Sequence, residues 1–186
     1  MSQQRLKLCE LIRRLSYRQG KFLLASGRES HFYVDLKPTT LHPEGAILII
    51  ELAWRTLDPI LFGGVGGPTM GADPLATALS LTAFTKGFFV PAFIIRKEPK
   101  KHGTSQWIEG RDNLIKEKEL LIVEDVVTTG GSSLKGIEKV RAEGFQVNRL
   151  LAVLDREEGA RENLARAGVE LVALTTIADI HPASMG

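Results

Sequence analysis

Residues 119–135 read Glu119-Leu-Leu-Ile-Val-Glu-Asp-Val-Val-Thr-Thr-Gly-Gly-Ser-Ser-Leu-Lys135. The stretch opens with four apolar residues, 120–123, a pattern typical of a strand that is buried on both faces of a parallel sheet. After the glycines, apolar residues recur at helical spacing at Leu134, Ile137 and Val140, which predicts a helix. The stretch therefore predicts a strand, a tight turn and a helix, the repeating unit of an α/β fold.

The turn between this strand and this helix has the composition of a phosphate site. Gly130 and Gly131 lack a Cβ, so the backbone can bend sharply and direct several N–H groups to one point. The positive end of the following helix adds to the attraction for an anion. Hydroxyl donors are abundant in the turn: Thr128, Thr129, Ser132 and Ser133.

Two acidic residues, Glu124 and Asp125, stand where the strand should end. Carboxylates there would repel a bare phosphate, but they can accept hydrogen bonds from sugar hydroxyls or face a cation. No lysine follows the glycines, as a nucleoside-triphosphate P-loop requires, and the Gly-x-Gly-x-x-Gly pattern of a dinucleotide site is absent. The stretch predicts a combined site for a sugar and its phosphate, and a plain strand–loop–helix connection is the alternative.

Residues 123–132 resemble the phosphoribosyl pyrophosphate (PRPP) motif of the type I phosphoribosyltransferases. Within that family, the chain as far as about Arg156 resembles the orotate phosphoribosyltransferases. The resemblance implies that Glu124 and Asp125 bind the ribose hydroxyls of PRPP and that Asp125 is a catalytic residue. It implies a PRPP 5′-phosphate site at Val126, Val127, Thr128, Thr129, Gly130, Gly131 and Ser132.

The resemblance also assigns orotate to two residues, Thr128 for the base and Arg156 for the carboxylate side. Arginine suits bidentate pairing with a planar carboxylate. On the residues alone, a surface ion pair of Arg156 with Glu157 or Glu158 explains the position equally well.

A basic run, Arg96-Lys-Glu-Pro-Lys-Lys-His-Gly103, follows an apolar segment. By itself it is either a solvated charge run or a clamp for a polyphosphate that can also supply a proton. It resembles the mobile catalytic loop of orotate phosphoribosyltransferases, which closes over the neighbouring subunit's site. The resemblance implies a homodimer with shared active sites and catalytic roles for Lys100 and His102. It implies PRPP contacts from Arg96, Lys97, Lys100 and His102.

Two other segments bear on the substrate. Residues 63–71 contain five glycines, which suits either a flexible turn or a backbone that approaches pyrophosphate closely. The resemblance favours a pyrophosphate loop, although many members carry a lysine near Met70–Gly71 and this chain has none. The predicted hairpin around Ser26-Gly27-Arg28 resembles the family's amino-terminal hood; some members have a lysine where this chain has Ala25. A hydrophobic lid is the alternative for that hairpin.

The whole chain, residues 1–186, is predicted to be one domain. Residues 1–40 form a hood of helix and hairpin, and 43–176 an α/β core whose sheet is doubly wound and mainly parallel, the type I phosphoribosyltransferase fold. Gly20 is expected to end the first helix, and 97–112 to be a long loop. The predicted helices are 2–16, 43–57, 73–83, 132–143 and 158–167; the predicted strands are 60–65, 88–95, 119–124, 147–154 and 169–174.

The composition limits the classes of partner that the protein is expected to bind. With 24 basic and 22 acidic residues, a net charge of +2 gives no obvious patch for nucleic acid. A single cysteine, Cys9, fits a reducing cytoplasm, and neither a signal peptide nor a membrane span is expected. The reaction implied by the resemblance uses PRPP and orotate to give orotidine 5′-monophosphate and pyrophosphate. Mg²⁺ is expected to be held mainly by PRPP and water, with no direct protein ligand.

Two alternatives to this reading use the same PRPP motif. One is a phosphoribosyltransferase that acts on a purine or another base, against which the hood and the basic loop argue. The other is a non-catalytic regulator that senses PRPP and binds nucleic acid, which would need a basic face or an added module.

Overall fold

The structure is a computed structural model that describes residues 2–23, 29–57, 61–99 and 106–181. These residues form helices and strands that alternate after an amino-terminal helix and hairpin. In chain order they are α1 (Gln3–Leu15), β1 (Tyr17–Leu23), β2 (Glu29–Val34), α2 (Lys37–Thr40), α3 (Pro43–Thr56), β3 (Gly64–Pro68), α4 (Asp73–Thr85), β4 (Ala92–Ile95), β5 (Ile108–Glu109), β6 (Leu120–Val127), α5 (Gly131–Ala142), β7 (Arg149–Asp155), α6 (Ala160–Arg166), β8 (Glu170–Thr176) and α7 (Ile177–Ile180).

A six-stranded sheet with the order β5-β4-β3-β6-β7-β8 forms the centre of the fold. All neighbours are parallel except β4 and β5, which are antiparallel. The chain winds outward from β3 to β4 on one side and from β6 to β8 on the other. The strand order therefore reverses between β3 and β6, and a crevice for a ligand is expected at the carboxyl ends of these two strands.

Helices cover both faces of the sheet, which confirms the predicted doubly wound, mainly parallel architecture. Leu121 and Val123 of β6 pack into a core with apolar residues of α1, α3 and α4. Leu120 and Ile122 point to the opposite face and pack into a second core with residues of α5 and α6. Since side chains alternate along a strand, β6 is buried on both faces, as its apolar run predicts.

The amino-terminal hood consists of α1 and the antiparallel pair β1–β2. The predicted hairpin strands are present, but β1 already begins at Tyr17, so Gly20 lies within a strand and does not end the helix. The predicted turn at Ser26-Gly27-Arg28, with Ala25, lies outside the described residues. The guanidinium of Arg5 forms a 2.6 Å ion pair with Asp179 of α7, which joins the two ends of the described chain.

Three other predicted segments need correction. Of the predicted strand 60–65, residue 60 lies outside the described residues and only Gly64 and Val65 are strand; β3 continues through the glycine-rich segment to Pro68. Only Ala92–Ile95 of the predicted strand 88–95 is strand, and the predicted loop 97–112 contains β5, where Ile108 is completely buried beside β4. The spacing of Ala46, Ile47, Ile50 and Ala53 predicts one buried stripe on α3, but Ile47 is 60% exposed. In the part of the chain that the structure describes, no helix is long and apolar enough to span a bilayer.

Candidate active site

A cavity of about 460 Å³ opens where the strand order reverses. It is bordered by the carboxyl ends of β3, β4 and β6, by the first turns of α5 and by the segment after β2. Six residues that the sequence predicts for PRPP line it: Arg96, Lys97, Glu124, Asp125, Val126 and Ser132. The topology therefore brings carboxylates from β6 and cations from β4 to one pocket.

Glu124 is buried, with 6% of its surface exposed. Its carboxylate accepts a hydrogen bond of 2.9 Å from the hydroxyl of Ser133. Burial raises the pKa of Glu124 to about 7; the nearby charge of Asp125 also raises it, and the Ser133 hydrogen bond opposes the change. Because an acid with this pKa exchanges its proton near neutral pH, the side chain can both accept and donate hydrogen bonds to a sugar hydroxyl.

Asp125 is fixed from three directions. The backbone N–H of Val126 donates to its Oδ1 atom at 2.8 Å. The ammonium of Lys37 lies 3.8 Å from Oδ2. Gly71 forms the third side, because a Cβ at that position would come within 2.4 Å of Oδ1. The carboxylate is therefore held at the mouth of the cavity, where a ribose hydroxyl could reach it.

The predicted phosphate turn connects β6 to α5. Gly130 has a left-handed backbone with φ of 77°, and α5 begins at the next residue. The side chain of Val127 is buried in the core, so only its backbone can serve a ligand. Ser132 is the turn residue that lines the cavity. The carbonyl of Thr129 is occupied by the side-chain amide of Asn163 at 2.9 Å, which anchors the turn to α6.

Arg96, the first residue of the basic segment after β4, is held by contacts with neighbouring elements. The N–H of Arg96 donates to the carbonyl of Trp107 at 2.9 Å. Lys139 of α5 donates to the carbonyl of Arg96 at 3.2 Å, and its ammonium lies 3.7 Å from the centre of the Trp107 ring. The guanidinium of Arg96 forms a 2.6 Å ion pair with Glu109 of β5. The two other predicted residues of the loop, Lys100 and His102, lie outside the described residues.

Arg156 lies between β7 and the hood and does not line the 460 Å³ cavity. Its guanidinium forms a 2.8 Å ion pair with Glu158, so the ion pair that was the alternative interpretation is present. The same guanidinium lies 5.0 Å from the centre of the Phe32 ring of β2. Its Nε atom is buried and has no hydrogen-bond partner within the described ranges. Arg156 therefore faces the hood with a hydrogen-bond donor unused.

An aromatic cluster in the hood supports Phe32. Its ring stacks on Tyr17 with 5.8 Å between ring centres and contacts His181 at 5.4 Å. The hydroxyl of Tyr17 is hydrogen-bonded to Nδ1 of His181 at 2.5 Å. The sequence shows no partner pattern for His181, which here links the hood to the end of α7.

Three lysines that sequence reasoning missed also line the cavity: Lys37, Lys135 and Lys139. Lys135 and Lys139 are four residues apart on α5, so their spacing on one helical face could have revealed them. Lys37 follows β2 outside any motif and carried no such signal. In the described parts of the chain, no group of three or more His, Cys, Asp or Glu side chains is placed to hold a metal ion.

Comparison with known proteins identifies the family of the chain independently of the site geometry. Residues 42–175 match the phosphoribosyl transferase domain family. The orotate phosphoribosyltransferase of Bradyrhizobium sp. is 46% identical over 175 residues, which cover 93% of this chain and 95% of the relative. The enzyme of that name from Nostoc sp. is 40% identical over 181 residues, 97% of this chain and 87% of the relative.

Solved structures of Mycobacterium tuberculosis orotate phosphoribosyltransferase are also similar. One, in complex with Fe(III) dicitrate, superposes with a TM-score of 0.82 at 38% identity and covers 95% of this chain and 98% of the other. Another, in complex with PRPP, has a TM-score of 0.75 at 31% identity, with coverages of 97% and 93%. By family match, sequence identity and structure, the chain belongs to the phosphoribosyl transferase domain family and, within it, to the orotate phosphoribosyltransferases.

Proposed function

We propose that the protein transfers the 5-phosphoribosyl group of PRPP to orotate, giving orotidine 5′-monophosphate and pyrophosphate. The observation that carries the proposal is the cavity at the switch point, where Glu124 and Asp125 face cations across a space large enough for a sugar phosphate. Sugar hydroxyls need acceptors and pyrophosphate needs cations, and this cavity offers both. The complex of a similar orotate phosphoribosyltransferase with PRPP supports the same substrate.

The chemistry requires positioning and charge, not a covalent nucleophile. Positive charge develops at the anomeric carbon as the bond to pyrophosphate breaks, and negative charge develops on the leaving group. Asp125 and Glu124 would hold the ribose hydroxyls and lie on the side where positive charge grows. Arg96 and Lys97, with Lys100 and His102 of the same segment, would bind the pyrophosphate. Residues 126–132 would bind the 5′-phosphate.

Magnesium is part of the proposal. Mg²⁺ prefers oxygen ligands and retains several waters, so a pyrophosphate with one or two nearby carboxylates suits it. The ion would be held mainly by oxygens of PRPP and by water, with no direct protein ligand, and the carboxylate of Asp125 at the cavity would add a nearby negative charge. The ion would neutralise part of the charge on the leaving group. The residues of the chain would bind and orient the pyrophosphate and exclude water from around it.

Orotate rather than a purine is proposed as the acceptor because of the hood. Orotate carries a carboxylate, and Arg156 presents a buried, unpartnered Nε beside Phe32. An aromatic ring and a guanidinium together suit a flat anionic base. A neutral purine has no carboxylate to accept a hydrogen bond from that Nε–H group.

A homodimer is proposed as the working form. Three large apolar side chains on α4 and the loop after it are mostly exposed: Leu81, Phe84 and Phe89, at 62%, 72% and 62%. Exposed large apolar side chains are typical of protein interfaces, and a second copy of the chain is the proposed partner. The reducing cytoplasm is proposed as its compartment, since the single cysteine, Cys9, is free and buried.

One assay tests the function. Orotate absorbance is followed with purified protein, PRPP and Mg²⁺, and hypoxanthine and uracil are offered as competing bases in parallel reactions. Orotate should be consumed only when PRPP is present, with pyrophosphate released in equal amount. Turnover of hypoxanthine or uracil in preference to orotate would overturn the proposal.

A further inference from the structure

The glycine-rich segment beside the cavity contains no cation. No lysine or arginine occurs between Arg55 and Lys86, so Pro68–Gly71 can offer a ligand only backbone groups and the hydroxyl of Thr69. That hydroxyl already donates to Asp73 at 2.7 Å. A pyrophosphate bound against this segment would therefore need its counter-charge from another part of the chain.

Lys37 brings a cation to this place from the hood side. Its ammonium lies 3.1 Å from Oδ1 of Asp35 and 3.8 Å from Oδ2 of Asp125. Gly71 borders the same carboxylate, since a Cβ at that position would lie 2.4 Å from Oδ1 and 2.8 Å from Oδ2 of Asp125. Because both residues border one carboxylate, the ammonium of Lys37 lies beside the end of the glycine-rich segment, and both line the cavity.

The position of Lys37 is built by the local backbone. Its own N–H donates to Oδ1 of Asp35 at 3.1 Å, and α2 begins at this residue with a proline directly after it. The side chain is 44% exposed and lines the cavity, so the ammonium is accessible to a ligand. The hydrogen bond with Asp35 raises the pKa of Lys37 most, the charge of Asp125 raises it further and partial burial opposes both, so the group stays protonated.

We propose that Lys37 binds the pyrophosphate of PRPP and supplies the positive charge that the glycine-rich segment lacks. In the free protein the ammonium lies against Asp125. When PRPP binds, a ribose hydroxyl donates to Asp125, and the ammonium shifts to the pyrophosphate oxygens while Asp35 keeps its base in place. This inference rests on the proposed function, since it needs PRPP as the substrate.

The competing explanation is that Lys37 only orients Asp125. Two ligands separate the explanations, because PRPP carries a pyrophosphate and orotidine 5′-monophosphate does not, whereas both carry the ribose hydroxyls and the 5′-phosphate. Calorimetric Kd values for PRPP with Mg²⁺, and for orotidine 5′-monophosphate, are measured for wild type, Lys37→Met and Lys37→Arg. Lys7→Met, which changes an exposed lysine of α1, is the control.

Loss of one charge-assisted contact should weaken PRPP binding by about 10- to 100-fold in Lys37→Met. Binding of orotidine 5′-monophosphate should change by less than about 3-fold, and Lys37→Arg should restore most of the PRPP affinity because it keeps the charge. Thermal melting shows whether each variant is folded. Lys7→Met should match wild type with both ligands.

Equal losses for PRPP and orotidine 5′-monophosphate in Lys37→Met would overturn the proposal and assign Lys37 to the support of Asp125. Unchanged PRPP affinity in a folded Lys37→Met variant would also overturn it and would leave the proposed function intact. Failure of the wild-type protein to bind PRPP or to consume orotate would instead refute the proposed function, so the two failures are distinguishable.

Discussion

The hydroxyl of Ser133 donates a 2.9 Å hydrogen bond to the carboxylate of Glu124, and this is the contact that opposes the effect of burial on that acid. Glu124 is on β6 and Ser133 on α5, so the bond spans the predicted phosphate turn. Burial prevails, and the pKa of Glu124 is raised from 4.5 to about 7. An acid with a raised pKa in the folded state makes stability depend on pH near neutrality.

The first prediction concerns that pH dependence. Below pH 4.5 Glu124 is protonated in both folded and unfolded chains, so it has no effect on the pH slope. Between pH 4.5 and about 7 the folded state holds a proton that the unfolded state has lost, so its contribution to the free energy of unfolding falls as pH rises, by about 3 kcal/mol in total. Glu124→Gln cannot ionise and should lose this decline.

Urea denaturation of wild type and Glu124→Gln at pH 5 and pH 8 measures this pH dependence of the free energy of unfolding. The variant should gain stability relative to wild type on going from pH 5 to pH 8. Other carboxylates titrate alike in both proteins, so they cancel in the difference. A difference that is the same at both pH values would show that Glu124 has an ordinary pKa.

The second prediction uses the contact between Gly71 and Asp125. Gly71→Ala places a methyl group where the carboxylate of Asp125 lies, and the carboxylate must rotate away. The free energy of unfolding should fall by only about 1 kcal/mol, because the atoms in the way are the end of one side chain and not backbone, so the carboxylate can rotate at the cost of its contacts. kcat/KM for PRPP should fall about 100-fold, as it should for Asp125→Asn, which removes the charge directly.

The comparison of the two variants is the check. Because both act on one carboxylate, the double variant should be little worse than either single variant. Losses that multiply in the double variant would show that Gly71 acts independently of Asp125. Wild-type activity in Asp125→Asn would remove that residue from the catalytic site.

The third prediction separates the two substrates at Arg156. Arg156→Lys loses the planar fork and should raise KM for orotate about 10- to 100-fold. Phe32→Leu removes the ring beside the guanidinium and should raise KM for orotate about 10- to 30-fold, because the side chain of Arg156 is only 10% exposed and a desolvated cation–π contact is stronger than an exposed one. KM for PRPP should stay within about 2-fold in both variants, since neither residue lines the PRPP cavity. Initial rates at varied concentrations of each substrate measure the effects, and parallel rises in both KM values would contradict an orotate site here.

The fourth prediction tests the proposed shared site by subunit mixing. Lys100→Ala and Asp125→Asn should each lose most of their activity as homodimers. If the basic loop serves the neighbouring subunit, a heterodimer collects both defects in one site and leaves the other site intact, a consequence of two-fold symmetry. About half of the wild-type activity per heterodimer should then return. After mass spectrometry has confirmed subunit exchange, an absence of recovery would show that each loop serves its own chain.

The sequence predicted the structure best where a segment has one clear pattern. The apolar run of β6 and the glycines after it are strongly patterned, and the strand, turn and helix are all found there. By contrast, the glycines of β3 predict a loop and form a strand. Glycine is required there because a Cβ at Gly66 or Gly67 would lie about 2 Å from a carbonyl oxygen of the adjacent strand. Such crowding depends on neighbours that are distant in sequence.

Lys37 shows the same limit at the cavity. Its nearest carboxylates are Asp35, two residues away, and Asp125, which only the folded sheet brings close. Ile47 shows the same limit in the core. The spacing of apolar residues in α3 places Ile47 in the predicted buried stripe, but the packing of neighbouring helices leaves its side chain exposed. Local pattern predicts elements well, but the partners across the fold decide which side chains meet.

The ion pair between Arg5 and Asp179 has a consequence for biosynthesis. The two residues are 174 positions apart, so at ribosomal rates roughly 10 to 35 seconds pass between their syntheses. Arg13 of the same helix donates to the carbonyl of Ile180, and this partner is made equally late. A nascent chain that already contains every strand of the central sheet therefore still lacks the polar contacts that join its first helix to α7.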